Sequence, residues 1–173
     1  MEHPVSIEIV KDSSGIEYLT LCNPRGASAT VSFHGGQVLS WKNEQGEELL
    51  FSSNKGTPKH QISTRGILVC FPQFSTCASM ETNVFTRNHL MHIDPNPPPP
   101  YPIESMGGSF VNLLLKPSND DLKRWPHSFE FRMRVTLSPE GNLILTSRIR
   151  NANCKPFSFS FVYHTYFSIS DIR

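Results

Sequence analysis

Phe129-Glu130-Phe131-Arg132-Met133-Arg134-Val135-Thr136-Leu137 alternates apolar and polar side chains without a break. A period of two places every second side chain on the same side of an extended chain, so this stretch reads as a β-strand with a core face and a wet face. Ser138-Pro139-Glu140-Gly141-Asn142 then supplies turn residues, and Leu143 to Arg150 runs back as the second strand of an antiparallel hairpin. The same pattern extends outward. Ser28 to Phe33 and Gln37 to Lys42 flank a Gly35-Gly36 turn, and Asn43 to Gly46 turns the chain into Glu48-Leu49-Leu50-Phe51. Phe110 to Leu115 is an apolar strand broken only by Asn112. Ser118 and Asp121 have capping-box spacing for a short helix that Pro126 stops. The polar stretch from Ser52 to Ser63 reads as a surface loop. Pro97-Pro98-Pro99-Pro100 reads as a stiff link between strands, with a polyproline II docking motif as the alternative. No internal repeat divides the chain, and residues 1–173 read as part of one all-β domain.

Composition narrows the function classes. The chain has 173 residues, 38% hydrophobic and 18% charged, which suits a globular domain rather than a disordered or fibrous one. Sixteen Lys and Arg against 15 Asp and Glu leave a net charge of +1, without the basic excess of a nucleic-acid or acidic-membrane binder. No apolar run is long enough to span a bilayer, and Met1-Glu2-His3-Pro4 does not open a signal peptide, so a cytoplasmic location is expected. Cys22, Cys70, Cys77 and Cys154 are too sparse for a disulfide framework or a zinc knuckle and read as small buried thiols. Twelve Phe against four Tyr and two Trp point to an aromatic core.

The stretch from Lys155 to Ser170 is the richest in chemistry. Read as one strand, it places Phe157, Phe159, Phe161, Tyr163, Thr165, Phe167 and Ile169 on one face, expected to be core. Ser158, Ser160, Val162, His164, Tyr166, Ser168 and Ser170 share the other. An imidazole among short hydroxyls on a rigid strand is placed to donate or accept a proton near neutral pH, although a solvent-facing histidine gives the same pattern. Arg132 and Arg134 on one strand, with Arg148 and Arg150 on its hairpin partner, form either a solvated charged face or a grip for phosphate. Arg65 and Arg87 sit in irregular chain beside strands, where ligand-binding residues concentrate. His89, His92 and Asp94 do not fall on a helix, so their spacing does not suggest a metal site. Phosphate-loop, dinucleotide-fingerprint and nucleophile-elbow motifs are missing.

Several segments together resemble the glucose-6-phosphate 1-epimerase family, relatives of galactose mutarotase, and its plant members above all. They are Gly35 to Asn43, Gly46 to Ser52, Cys70-Phe71-Pro72-Gln73-Phe74, Leu113 to Ser118, Asp120 to Lys123, Trp125 to Arg132, Ser147 to Asn151 and Tyr163-His164-Thr165-Tyr166-Phe167. The resemblance implies an antiparallel β-sandwich of the galactose mutarotase-like supersandwich type, of which 1–173 would be the N-terminal portion. It implies interconversion of the α and β anomers of a hexose 6-phosphate, glucose 6-phosphate first, with no cofactor and no metal. It calls for no nucleic-acid, membrane or obligate protein partner. His164 matches the family's general acid on the ring oxygen, while Arg87, Arg65 and Asn83 fall at substrate-binding positions.

The match departs from the family pattern in three places. The family's Arg-Gly-Gly-Ile-Pro reads Thr64-Arg65-Gly66-Ile67-Leu68 here, so either Arg65 keeps the binding role beside a lost glycine, or Thr64 has taken the arginine's place. The substrate loop Gln-His-Gly-x-x-Arg reads Thr82-Asn83-Val84-Phe85-Thr86-Arg87, keeping Arg87 but replacing the histidine with an uncharged amide. Family members continue well past the position of Arg173, and their glutamate base and a substrate-binding aspartate lie there. Weakened catalysis is therefore expected, with a non-catalytic carbohydrate- or phosphate-binding remnant as the alternative.

Overall fold

The computed structural model describes residues 6–52, 65–72, 86–100 and 107–171. Its strands are β1 (Ser6–Lys11), β2 (Glu17–Cys22), β3 (Ser28–Ser32), β4 (Val38–Lys42), β5 (Ile67–Cys70), β6 (His92–Ile93), β7 (Ser109–Leu115), β8 (Phe129–Leu137), β9 (Leu143–Asn151) and β10 (Val162–Thr165). They form two antiparallel sheets, one ordered β1-β2-β3-β4-β5-β10 and the other β6-β7-β8-β9. One short helix, α1 (Asn119–Arg124), joins β7 to β8, and a 3-10 turn (Thr86–Asn88) precedes β6. The all-β antiparallel architecture read from the sequence is the one observed.

Alternation explains the core. Leu19, Leu21, Val31, Val38, Ile67 and Val69 project from the six-stranded sheet onto Val111, Leu113, Leu115, Phe129, Phe131, Met133, Val135 and Leu137 of the four-stranded sheet. Phe71, fully buried, sits among rings: 5.0 Å from Phe129 edge-on, 5.7 Å from Phe131 stacked and 5.4 Å from Phe159. Burying a side chain of this size stabilises the fold by about 2–3 kcal/mol, and each ring pair adds about 1 kcal/mol. The local signals also act as expected. Ser118 Oγ accepts from the Asp121 amide and the Asp121 carboxylate accepts from the Ser118 amide, closing the capping box. Ser138 N donates to Asn142 O, closing the β8–β9 turn. Asp94 to Pro100 joins β6 to the segment before β7, as a stiff link would.

Three expectations are corrected. The polar face of β8 is not wet: Glu130, Arg134 and Thr136 are buried. The link after β6 covers it, since Arg132 Nε donates to Asp94 Oδ2 (2.8 Å) and Arg134 Nη2 to Pro98 O (2.5 Å). The stretch from Lys155 is a strand only over Val162–Thr165. Phe157, Phe161 and Tyr163 pack on the core, but Phe159, Phe167 and Ile169 are exposed; Phe159 and Ile169 lie outside any ladder, while Phe167 is exposed although it bridges Leu50. The cysteines do not behave alike either. Cys70 is buried and disulfide-bonded, Cys22 is half-buried and free, and Cys154 is exposed.

Candidate functional site

The face of the six-stranded sheet turned away from the core is polar. Because Leu19 and Leu21 point inward, Tyr18, Thr20 and Cys22 of β2 point outward, and the register pairs them with Ser32, Thr30 and Ser28 of β3. Thr30 is in turn opposite Ser40 of β4, and the Thr20 and Thr30 hydroxyls lie 3.3 Å apart. Small hydroxyls make this surface flat and hydrogen-bonding, which suits a sugar better than a hydrocarbon.

His164 stands at one end of it. Tyr163 turns into the core, where its hydroxyl lies 2.5 Å from Ser147 Oγ and burial raises its pKa. His164, next along β10, therefore faces the opposite way, across from Leu68 of β5. Its ring is half-buried and stacked on Tyr166, with centroids 4.6 Å apart and planes at 18°. The stack limits how the imidazole can turn without covering its edge, where the nitrogens are.

Arg65 lies beside it. Tyr166 N donates to Gly66 O, which puts Arg65 about 10 Å along the neighbouring strand from the position facing His164. Gly66 has φ +66°, and a Cβ there would lie 1.9 Å from Val38 O, so only glycine fits. The glycine that close backbone approach requires in this stretch is thus Gly66. Gln37 Nε2 donates to Arg65 O (2.8 Å) and holds the backbone. The Arg65 Nε is buried with no hydrogen-bond partner among the described residues. Burial and the hydrogen bond to Asp12 raise the Tyr18 hydroxyl's pKa, and the Arg65 charge opposes them.

Arg87 is described through its backbone, in the 3-10 turn Thr86–Asn88. Thr86 ties that turn to β5: its hydroxyl donates to Val69 O (2.7 Å) and its amide to Phe71 O (3.3 Å). Asn83 lies outside the described residues. Tyr166 beneath the imidazole, Gln37 under Arg65 and Thr86 beside Arg87 were not picked out by sequence reasoning. Period two alone puts Tyr166 beside His164, whereas nothing local marks Gln37 or Thr86.

Carboxylates near this face are already engaged. Glu48 accepts from Ser40 Oγ, Trp41 N (2.8 Å) and Leu50 N (3.1 Å). Asp12 accepts from Ser14, Ile16 and the Tyr18 hydroxyl, and the Ser14 hydroxyl chiefly holds its pKa down to about 2. No group of three or more His, Cys, Asp or Glu that could hold a metal occurs among the described residues, and His89 instead pairs with Asp121 at 2.8 Å.

Two antiparallel sheets packed face to face around one apolar core define a β-sandwich. The aldose 1-epimerase family model matches residues 17–173, and the chain belongs to that family. It is 52% identical over 168 residues, 95% of this chain, to a protein of Cenchrus ciliaris named "Putative glucose-6-phosphate 1-epimerase". The chain spans about half the length of that relative, 51% of it. Among solved structures it is similar to "a putative mutarotase (YeaD) from Salmonella typhimurium" (TM-score 0.65, 20% identity, 95% of this chain and 56% of that one). It is also similar to a galactose mutarotase-like protein from Lactobacillus casei ATCC 334 (TM-score 0.61, 15% identity, 95% and 51%). These structural likenesses bear on the fold alone. No helix among the described residues is long and apolar enough to cross a membrane.

Proposed function

We propose that this chain carries the general-acid half of a hexose 6-phosphate 1-epimerase and is the N-terminal portion of a single sandwich domain. His164 protonates the ring oxygen of the sugar as a base removes the proton of the anomeric hydroxyl. The C1–O5 bond breaks, the C1–C2 bond rotates, and the ring closes on the other face. Arg65, with Arg87 and Asn83, holds the phosphate or the hydroxyls, because a guanidinium donates paired hydrogen bonds that match an oxyanion. The observation carrying this reading is a half-buried imidazole on β10 beside a strand that carries Arg65, whose buried Nε has no hydrogen-bond partner among the described residues. A buried donor without an acceptor is costly unless a ligand supplies one.

The engaged carboxylates favour a second, weaker form of the same function, in which this chain binds the substrate without turning it over efficiently. A positioned acid or base contributes roughly 10²–10⁴-fold, so an acid working without a positioned base falls short of the pair by at least about a hundredfold. Exchange spectroscopy on the anomeric proton of glucose 6-phosphate separates the cases. Slow exchange abolished by His164→Ala supports the acid role; binding with exchange indifferent to His164→Ala supports the binding remnant. Absence of any glucose 6-phosphate binding overturns both.

A further inference from the structure

The opposite side of the molecule carries a second arginine set that the epimerase reading does not use. Along β8 and β9 the register sets Arg132 against Arg148 and Glu130 against Arg150. Like charges directly opposite on a ladder repel, so Arg132 facing Arg148 gains from an anion nearby. Glu130 is one such anion and is shared threefold: it accepts from Arg132 Nη1 (2.5 Å), Arg150 Nε (3.0 Å) and Lys116 Nζ (3.0 Å). Asp94 takes the Arg132 Nε. Among the described residues these contacts leave Nη2 of Arg132 and both Nη atoms of Arg150 unbonded, on a side chain of Arg150 that is 68% exposed.

Arg132, Arg148 and Arg150 line one open hollow of about 820 Å³, whose remaining walls are Asn96, Pro97, Pro98, Pro99 and Ile149. That volume is within the range of small-molecule sites and exceeds what a bare phosphate fills. Guanidinium donors at one wall select an oxyanion, and Pro97, Pro98 and Pro99, whose φ angles are fixed by their rings, offer an apolar wall across from them.

We propose that this hollow is a binding site for an organic phosphate with a ring or apolar portion, separate from the His164 face. The phosphoryl group sits on the Arg132 and Arg150 donors and the ring lies on the proline wall. The probes are AMP and inorganic phosphate, titrated into the full chain at low ionic strength and followed by calorimetry. AMP binding is expected to weaken at least tenfold in Arg150→Ala, to recover in part in Arg150→Lys, and to be unchanged in His164→Ala. Arg150 is exposed, so its replacement is expected to leave the thermal melt cooperative; Pro97→Ser, which alters the exposed apolar wall, gives an independent check by weakening AMP but not inorganic phosphate. No AMP binding at millimolar concentration, binding indifferent to Arg150→Ala, or equal affinity for AMP and inorganic phosphate would each overturn the assignment.

Discussion

The outward faces of the two sheets are both polar, yet they handle polarity in opposite ways. On the four-stranded sheet Glu130 gathers Arg132, Lys116 and Arg150, and those hydrogen bonds, Arg132's first, hold its carboxyl down to about 2. On the six-stranded sheet Arg65 is left with a buried Nε that bonds to nothing among the described residues, and His164 stays half-open above Tyr166. The first face satisfies its buried carboxylate internally, with spare guanidinium donors left over, and contributes to folding. The other leaves donors short of acceptors, the condition a substrate relieves.

Four measurements break or sharpen that contrast. The largest effect is expected from Glu130→Gln, which takes the shared carboxylate from Arg132, Arg150 and Lys116 and should lower the unfolding free energy by about 1–2 kcal/mol, Lys116 and Arg150 being exposed and Arg132 keeping Asp94. A chemical denaturation midpoint within error of the parent would show that the network is decorative. Next, Arg65→Met should weaken glucose 6-phosphate binding by about tenfold or more, the loss of a charged hydrogen bond, while leaving stability unchanged or slightly raised. A loss of stability on the scale of Glu130→Gln would place Arg65 in the folding network instead.

The third measurement is the pH dependence of stability. Glu130 has a folded pKa below its ordinary 4.5, so the unfolded chain binds more protons between the two values. Its contribution is fully present above about pH 4.5 and is lost as pH falls towards about 2. Glu130→Gln should flatten the melting temperature against pH in that window, and an unaltered slope would assign acid sensitivity to other groups. The smallest effect is expected from Thr30→Val, which removes the hydroxyl contact with Thr20 on the open face. It should shift stability by no more than about 1 kcal/mol, read from paired thermal melts.

How much the sequence disclosed depended on distance along the chain. The β8–β9 hairpin, the strands around Gly35-Gly36 and the Ser118 cap are written in a few neighbouring residues, and all are present. His164's outward placement also comes from alternation with Tyr163. The burial of Glu130 and Arg134 does not, because Asp94 and Pro98, which cover that face, lie about three dozen positions earlier. Phe159 and Ile169 misled for a related reason: alternation assigns faces only where a ladder exists. The side on which Arg65 works was illegible too. Gly66 puts a left-handed residue next to it, and period two cannot carry a face assignment across such a break.

The Tyr163 hydroxyl's contact with Ser147 bridges the last strand of each sheet, one residue before the imidazole. Tyr163 and His164 share a backbone and point in opposite directions, so the bridge acts as the short arm of a lever whose long arm is the imidazole. The aim of the histidine is therefore tied to the far layer of the molecule through Ser147 as well as to its stack on Tyr166.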